Sequence, residues 1–499
     1  MAVDYLVMIV YLAGIIGVGW WGARRARSKS EFLVAGRRLG PLMYTGTMAA
    51  VVLGGASTIG GVGLGYSYGL SGAWMVGAIG LGLLALSAFF SARIARLKVY
   101  TVAEMLSLRY GDAAGVISGV VMWIYTLMLV VTSTIAYASV FDVLFDIPRW
   151  AAVVIGGVIV VGYSALGGMW SITLTDMVQF VVKSIGVLIL LLPFALIKAG
   201  GFGGLQARLP HGYFSPTSIG GETVFTFVLI YTFGMLIGQD IWQRVFTARN
   251  DRVARLGGTV AGLYCLVYAL AGALIGAAAK AMYPHLAVAD DAFATIVKHL
   301  LPTGVRGLVL AAALSAMMST ASGALIASAT VANNDIWQRI RNAVRRGGDG
   351  AGSPRKKDEV RGNRIFILLL GAVSIVLACV LSDVVSALTV AYNLLVGGLL
   401  VPILGGLVWR RGNLAGALAS VIVGGLTVIV LMVTQGVLAN EPIYYGLLVS
   451  LVAYLVGSLV TRPTDPAVLD RWRERLAGRG AEGTGEDAEP QPSVRAASA

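Results

Sequence analysis

The sequence has few of the residues that build metal clusters, disulfide frameworks or solvated protein surfaces. It contains two cysteines and three histidines among 499 residues, and only 13% of its residues are charged. Cys265 and Cys379 both fall in apolar segments, which favours small core residues over a disulfide or a metal site. The histidines lie scattered over two loops without ligand spacing, and no nucleotide-binding loop motif is present. These absences argue against an enzyme and against an organic cofactor.

What the sequence has in abundance is hydrophobic length. Hydrophobic residues make up 57% of the chain, and apolar runs long enough to span a membrane recur as far as about residue 461. A soluble protein of this length would cover its domains with charge, and a β-barrel would show short segments of alternating polarity. The composition therefore predicts an all-α polytopic membrane protein embedded in the lipid bilayer.

The apolar runs predict thirteen transmembrane spans, numbered here in chain order. Their ranges are 3–23, 41–69, 72–96, 113–143, 149–166, 170–198, 222–245, 253–283, 302–334, 363–384, 386–409, 413–436 and 443–461.

Basic residues lie mainly in alternate loops between these spans, which accounts for the net charge of +13 without a nucleic-acid partner. By the positive-inside rule the N-terminus is external and the C-terminus cytoplasmic. We therefore expect a transmembrane transporter domain over 1–462, with a basic cytoplasmic loop at 335–362. We expect 463–499 to form a cytoplasmic tail that is largely disordered. The plasma (inner) membrane of a bacterium would suit this multi-pass arrangement and the Ala, Gly and Arg usage.

Span 2 contains the glycine-rich stretch "LGGASTIGGVGLGYSYG", Leu53 to Gly69. Glycine weakens a helix interior by about 1 kcal/mol relative to alanine. If the helix unwinds there, its freed carbonyls must line a cavity or meet a cation, because the bilayer offers no other donor. The alternative is a small-residue face that packs closely against a neighbouring helix.

Span 9 contains a second polar group in "LSAMMSTASGALIASATVANND". Ala316, Ser319 and Thr320 are spaced i, i+3 and i+4, so they share one helical face. Two hydroxyls and nearby backbone carbonyls form a set of oxygen atoms that suits a monovalent cation. Small polar residues are also common where membrane helices pack, so packing remains the alternative.

Span 6 begins within "GGMWSITLTDMVQFVVK" and carries Asp176 about two turns from its predicted cytoplasmic end. An ionisable residue within a span is a functional candidate by default. A solvated vestibule would accommodate Asp176. The alternative is a structural ion pair with Lys183 or with a loop arginine.

Span 7 contains "IYTFGMLIGQDIWQR", in which Gly234 and Gly238 again weaken the helix. Paired interrupted spans are typical of transporters built from repeats. Spans 2 and 7 lie five apart, an odd offset that gives them opposite orientation. They would begin two inverted five-helix repeats, spans 2–6 and 7–11, with flanking helices.

Several motifs, taken together, resemble the sodium:solute symporter family. They occur in the family's order and spacing, and they read "SEFLVAGRRLGPL" (30–42), "GGASTIGG" (54–61), "YTVAEMLSLRYG" (100–111), "SALGGMWSITLTDMVQ" (164–179), "GQDIWQRVFTAR" (238–249) and "LSAMMSTASGALIASATVANNDIW" (314–337). The resemblance implies inverted repeats like those of the bacterial leucine transporter. It also implies symport of a small organic solute with Na⁺ as the coupling ion, by alternating access.

The resemblance also implies roles for individual residues. The family's sodium site falls on carbonyls of Ala56, Ile59 and Ala316 and on the hydroxyls of Ser319 and Thr320. Asp176 matches an aspartate linked to cation handling on the cytoplasmic route, and Arg244 matches an anchor after span 7. The solute-binding cavity would be lined by neutral polar and aromatic side chains, namely Ser57, Thr58, Tyr231, Thr232, Gln239, Tyr125, Tyr137 and Asn393.

The sequence leaves the solute open among monocarboxylates, amino acids, pantothenate-like acids and choline-like cations. Proline transporters of the family have an acidic residue at the position of Thr58, so a proline assignment does not follow directly. A proton at Asp176 is the alternative coupling ion, although the hydroxyl pair of span 9 favours Na⁺. A transporter-like sensor is a further alternative, and no protein partner is evident.

Overall fold

The protein is helical throughout the region that the computed structural model describes, which comprises residues 2–26, 28–145, 147–345, 356–381 and 383–479. The residues described there outside helices form turns and one isolated β-bridge between Leu39 and Ala248. The all-α class predicted from the sequence is confirmed.

The helices follow the predicted spans closely. Helices within the spans, in chain order, include Ala2–Ala23, Pro41–Val52, Gly61–Tyr68, Trp74–Ala85, Asp112–Phe145, Arg149–Lys183, Leu192–Lys198, Gly221–Phe227, Phe233–Ile237, Gln239–Val245, Asp251–Met282, Val305–Thr330, Lys356–Val380, Val384–Val408, Leu414–Gln435 and Glu441–Val460. Helices in the connections between spans include Lys29–Val34, Val102–Tyr110, Gly201–Arg208 and Asp291–Leu300. Turns of π-helix continue several spans, at Ala56–Gly60, Leu86–Phe90, Ser184–Leu191, Val228–Thr232 and Val331–Trp337.

Ten helical segments among the described residues are long and apolar enough to cross a membrane, or eleven when one bent pair is counted. Two of them, Ala56–Arg96 and Arg149–Lys198, contain 41 and 50 residues, about twice the length that a bilayer requires. Each is broken by a glycine with positive φ, Gly69 at +62° and Gly168 at +55°, which an L-residue adopts only with strain. Dividing both segments at these glycines gives the thirteen predicted crossings.

In both span 2 and span 7 the helix is interrupted within the span. In span 2 the helix Pro41–Val52 ends, and a π-helical turn begins at Ala56. In span 7 the helices on either side of Gly238 meet at an angle of 44°. The breaks lie five spans apart, as expected of two inverted five-helix repeats.

Span 9 lies at the centre of the helix bundle. Its most apolar stretch is buried completely, whereas in spans 1 and 13 the corresponding buried share is only 28%. Span 9 packs against spans 1, 4 and 6 and against the first half of span 2. Polar groups on span 9 are therefore enclosed by protein, and spans 1 and 13 present apolar surface to lipid.

Helix continues into the predicted basic loop and tail. The helix Gln338–Arg345 prolongs span 9, and span 10 already begins at Lys356. After span 13 the helix Pro466–Leu476 packs through Trp472, whose indole nitrogen donates to the Gly406 carbonyl at 3.0 Å. The rest of the tail predicted to be disordered, from residue 480 onward, lies outside the described residues.

Candidate ion and solute site

At the break in span 2 the glycines pack closely against neighbouring helices, and the helical hydrogen bonding of the backbone is interrupted. A Cβ atom on Gly54 would lie 2.3 Å from the Thr320 hydroxyl oxygen, and one on Gly55 would lie 2.4 Å from the Cβ of Ala136. The glycines thus bring the interrupted backbone against spans 4 and 9. At the same time, the helix ends at Val52 and leaves the last carbonyls of that half without intrahelical donors. The packing and the opening predicted from the sequence therefore occur together.

Lys183 supplies the cation that these carbonyls meet. Its ammonium is fully buried and lies 3.0 Å from the carbonyl oxygen of Ala50, 3.1 Å from that of Leu53 and 3.4 Å from that of Ala49. A buried ammonium needs such acceptors, because a charge without partners is costly to bury. Span 6 thereby caps the first half of span 2 with a positive charge.

Hydroxyl groups satisfy two further carbonyls at the break. The Thr320 hydroxyl donates to the Val51 carbonyl at 2.5 Å, and the Ser57 hydroxyl donates to the Val52 carbonyl at 3.2 Å. Span 9 is thus joined directly to the end of the first half of span 2. This is the contact between spans 2 and 9 that a cation shared by them requires.

The other residues predicted for the sodium site are also buried, but those whose hydrogen bonds are described next bond to groups other than the carbonyls at the end of the first half of span 2. Ser319 donates its hydroxyl proton to Asp176 Oδ1 at 2.7 Å. The Ala56 carbonyl accepts the backbone N–H of Gly61 in the π-helical turn. Ala316 and Ile59 have no exposed surface. The oxygen atoms of Ser319 and Thr320 therefore lie beside a carboxylate and a carbonyl, respectively.

Asp176 connects four spans. Its side chain is fully buried and accepts hydrogen bonds from Ser319 of span 9, from Thr47 of span 2 at 2.5 Å and from Arg244 of span 7 at 3.2 Å. The two alternatives for Asp176 are thus distinguished in this conformation, since the carboxylate lies in an ion pair rather than in a solvated vestibule. Its partner is Arg244, which the resemblance had placed as an anchor, and not Lys183.

A narrow cavity lies between the two broken spans. It has about 20 Å³ of room for water, which is enough for a single molecule. It is lined by Val51, Val52, Gly54, Gly55, Ala56, Ser57, Ile79, Leu129, Thr132, Ser133, Met235, Asp240, Thr320, Leu388 and Tyr392. The conformation is therefore closed around its centre, and an organic solute enters only when helices move apart.

The predicted solute residues are only partly brought together. Ser57 lines the cavity. Tyr125 does not line it, but its hydroxyl donates to Oδ1 of the lining residue Asp240 at 2.9 Å. Tyr137 and Asn393 are buried, and the hydroxyl of Tyr137 has no hydrogen-bond partner within the described part of the chain.

Four other predicted solute residues make structural hydrogen bonds. Thr58 pairs with the Tyr268 hydroxyl at 2.9 Å, and Tyr231 pairs with Thr389 at 3.4 Å. Thr232 donates to the Ala78 carbonyl at 2.9 Å. The Gln239 side chain accepts the Val102 N–H at 2.7 Å and donates to the Tyr100 carbonyl at 3.2 Å. Gln239 is therefore occupied in holding the segment after span 3.

The sequence analysis missed Asp240 and Tyr392. Asp240 follows Gln239 within the quoted span 7 motif, and it is 2% exposed and lines the cavity. The rule applied to Asp176, that an ionisable residue within a span indicates function, would have selected it as well. Tyr392 had no such signal, because its place beside Tyr125 depends on the packing of span 11 against span 4.

Residues 32–424 match the model of the sodium:solute symporter family. The sodium/pantothenate symporter of Escherichia coli is 26% identical over 480 residues, which cover 91% of this chain and 95% of that protein. The osmoregulated proline transporter of Bacillus subtilis is 23% identical and covers 93% of this chain and 96% of its own length.

Solved structures share the fold. A Na⁺-coupled sialic acid symporter, solved in a substrate-bound outward-open state, superposes with a TM-score of 0.79 at 17% identity and covers 93% of this chain and 99% of its own. Mhp1, a nucleobase-cation-symport-1 family transporter, gives a TM-score of 0.56 at 14% identity, covering 91% and 99%. With the family model matched over most of its length, the chain belongs to the sodium:solute symporter family, a family of multi-pass membrane transporters that couple solute uptake to Na⁺.

Proposed function

We propose that this protein binds its coupling Na⁺ where the break of span 2 meets the hydroxyl face of span 9. The observation that carries the proposal is the group of buried oxygen atoms from Ser319, Thr320, Asp176 and the Val51 carbonyl, which meet at that break. Neutral hydroxyls and carbonyls with one carboxylate suit a monovalent cation. The carbonyls of Ala56, Ile59 and Ala316 complete the proposed set.

The hydrogen bonds indicate how the ion would couple to conformation. Ser319 and Thr320 donate their protons to Asp176 and Val51 in the present arrangement, and a bound Na⁺ would take both oxygen atoms as ligands instead. The ion would then hold span 9 and the break of span 2 in a different relation. Because coupling is reciprocal, an arrangement that favours Na⁺ and also opens the cavity raises the affinity for solute.

The membrane potential adds to the driving force. Each positive charge that moves inward through 100 mV contributes about 2.3 kcal/mol, in addition to the Na⁺ gradient. Asp176, with Arg244 beside it, would receive the ion on the cytoplasmic route and release it as the inner side opens. The solute would be a small organic molecule bound in the cavity between spans 2, 4, 7 and 11.

The test is uptake of labelled solutes into proteoliposomes, with and without an inward Na⁺ gradient. The panel comprises proline, choline, pantothenate and lactate, and the variant is Ser319→Ala/Thr320→Ala. Ser328→Ala is the matched control, because it removes a buried hydroxyl from the same span at a distance of two turns. We expect Na⁺-dependent uptake that the double variant abolishes and the control retains.

A proton is the second candidate for the coupling ion, because Asp176 is a buried ionisable group in contact with the same hydroxyls. Uptake that ignores Na⁺ but follows a pH gradient would overturn the sodium assignment. Loss of that uptake in Asp176→Asn, with full activity in Ser319→Ala/Thr320→Ala, would then assign coupling to Asp176.

A further inference from the structure

The break of span 7 places a carboxylate in the central cavity. The helix Phe233–Ile237 ends at Gly238, whose ψ of 130° is extended, and the chain becomes helical again at Gln239. Asp240 then lies on the cavity wall, with Ser57 of span 2 and Thr132 and Ser133 of span 4. The cavity therefore has a carboxyl group among neutral hydroxyls.

The Asp240 carboxylate has no ion-pair partner in the described part of the chain, although Arg244 is near enough for its charge to act on it. Tyr125 donates a neutral hydrogen bond to Oδ1 at 2.9 Å. Arg244 reaches only the main-chain carbonyl of Asp240, at 3.3 Å, and its other terminal nitrogen pairs with Asp176. Among the described residues, no basic side chain lies within ion-pair distance of the Asp240 carboxylate. A buried carboxylate without a directly paired cation is costly, so the site favours a positively charged occupant.

The surroundings of the carboxylate are aromatic. The rings of Tyr125 and Tyr392 meet edge to face with centroids 5.4 Å apart, and Tyr392 meets Tyr231 at the same distance. Two glycines of span 7 make this cluster possible. A Cβ on Gly234 would lie 2.1 Å from the Tyr392 ring, and one on Gly238 would lie 2.9 Å from the Tyr125 hydroxyl. Aromatic rings beside a carboxylate attract weakly hydrated organic cations more than they attract a small metal ion.

Acidic residues also gather toward the predicted external side of span 2. The Asp290 carboxylate packs against Gly63, where a Cβ would lie 2.5 Å from its Oδ1. Asp383 and Asp291 are close enough that their charges act on Asp290. Negative groups on one side of a protein raise the local concentration of cations there. These acidic residues, which lie in another part of the chain, favour a positively charged solute, as Asp240 does.

We propose that Asp240, together with the Tyr125 and Tyr392 rings, binds a positively charged nitrogen of the transported solute. The solute class is then a small organic cation or zwitterion, with a protonated amine or a quaternary ammonium. Solutes with only carboxylate charge, such as pantothenate-like acids and monocarboxylates, are excluded. The inference rests on the proposed symport function, because it places this solute in the cavity that Na⁺ binding opens.

The experiment measures solute binding to the full-length purified protein as a shift in thermal denaturation, in the presence of Na⁺. The probes are choline, proline, pantothenate and lactate, and the variants are Asp240→Asn, Asp240→Glu and Tyr125→Phe. We expect stabilisation by choline or proline and none by pantothenate or lactate. Asp240→Asn should weaken that binding at least 30-fold, Tyr125→Phe should weaken it a few-fold, and Asp240→Glu should retain part of the affinity.

A cooperative thermal transition without Na⁺ or solute is the control for a correctly folded variant. If folded Asp240→Asn is no longer stabilised by Na⁺ alone, Asp240 is a ligand of the metal ion and the proposal is overturned. The proposal is also overturned if pantothenate or lactate binds to the wild-type protein and binds to Asp240→Asn with the same affinity. If choline or proline binds through Asp240 but Na⁺ does not drive its uptake, the symport proposal fails and the assignment of Asp240 holds.

Discussion

The two broken spans occupy equivalent positions in the two repeats but are completed differently. In span 2 the freed carbonyls meet the protein's own cation, the Lys183 ammonium, together with hydroxyls of Thr320 and Ser57. In span 7 the break leaves the Asp240 carboxylate with a single tyrosine hydroxyl as its side-chain partner. The comparison teaches that the freed carbonyls of span 2 are bonded by a lysine and hydroxyls of the protein, whereas the break of span 7 leaves a carboxyl group in the cavity without an ion-pair partner among the described residues.

The link between the two breaks is the ion pair of Asp176 and Arg244, and its disruption should have the largest effect. Asp176→Asn leaves the fully buried Arg244 guanidinium without its counter-ion, which costs about 3–5 kcal/mol. We expect a large drop in the thermal denaturation midpoint in detergent and loss of stabilisation by Na⁺.

The control for Asp176→Asn is the double variant Asp176→Asn/Arg244→Gln. It removes the stranded charge and should recover part of the stability but none of the response to Na⁺. Wild-type stability of the single variant would show that the pair does not hold the two breaks together.

Lys183→Met tests whether the break of span 2 depends on its internal cation. It removes the donor to the carbonyls of Ala50 and Leu53, and each unsatisfied buried acceptor costs about 1–3 kcal/mol. We expect a lower denaturation midpoint and a matching loss of transport. Lys198→Met, at the end of the same span, is the control and should leave both unchanged, whereas equal effects at both positions would contradict the special role of Lys183.

Adding a methyl group at Gly54 tests whether its close contact with span 9 is needed at the break of span 2. Gly54→Ala places Cβ 2.3 Å from the Thr320 hydroxyl oxygen, and we expect a cost of about 1–3 kcal/mol and weaker Na⁺ binding. Gly60→Ala meets the flexible side chains of Val385 at 3.3 Å and Met75 at 3.8 Å, and it should have little effect on the denaturation midpoint. If both variants bind Na⁺ with unchanged affinity, the contact of Gly54 with span 9 is not part of the ion site.

The smallest effect is expected at Asp290, outside both breaks. Burial, with the charges of Asp383 and Asp291, raises its pKa to about 6 from 3.8. The folded protein thus binds this proton more tightly than the unfolded chain, and stability falls as the pH rises from about 4 to about 6. Asp290→Asn should therefore raise the denaturation midpoint at pH 7.5 and have little effect at pH 4.5. An equal shift at both pH values would contradict the raised pKa.

Much of the fold followed from local sequence. Apolar length gave the spans, and glycine clusters at Leu53–Gly65 and Gly234–Gly238 marked both breaks, because they weaken the helix wherever the chain packs. The shared face of Ala316, Ser319 and Thr320 followed from helical period alone. The family followed from motifs in order, and the family model confirms it.

The sequence did not determine which partners the charged groups have. The sequence offered Lys183, seven residues away, or a loop arginine as the partner of Asp176, and the carboxylate pairs with Arg244, which is 68 residues distant. Asp240 was passed over for Gln239, although only Asp240 lines the cavity. Such choices depend on which helix faces meet, and that is decided when all the spans pack together.

The sequence by itself determined where the chain crosses the membrane, where two of its helices break and which hydroxyls share a face. These properties depend on hydrophobic length, glycine content and helical period, which act within about twenty residues. The tertiary structure alone decided that Lys183 donates to the carbonyls of one break and that Asp240 lines the central cavity at the other. The reason is physical, since a buried charge takes its partners from whichever helices enclose it, and those helices lie far apart in the chain.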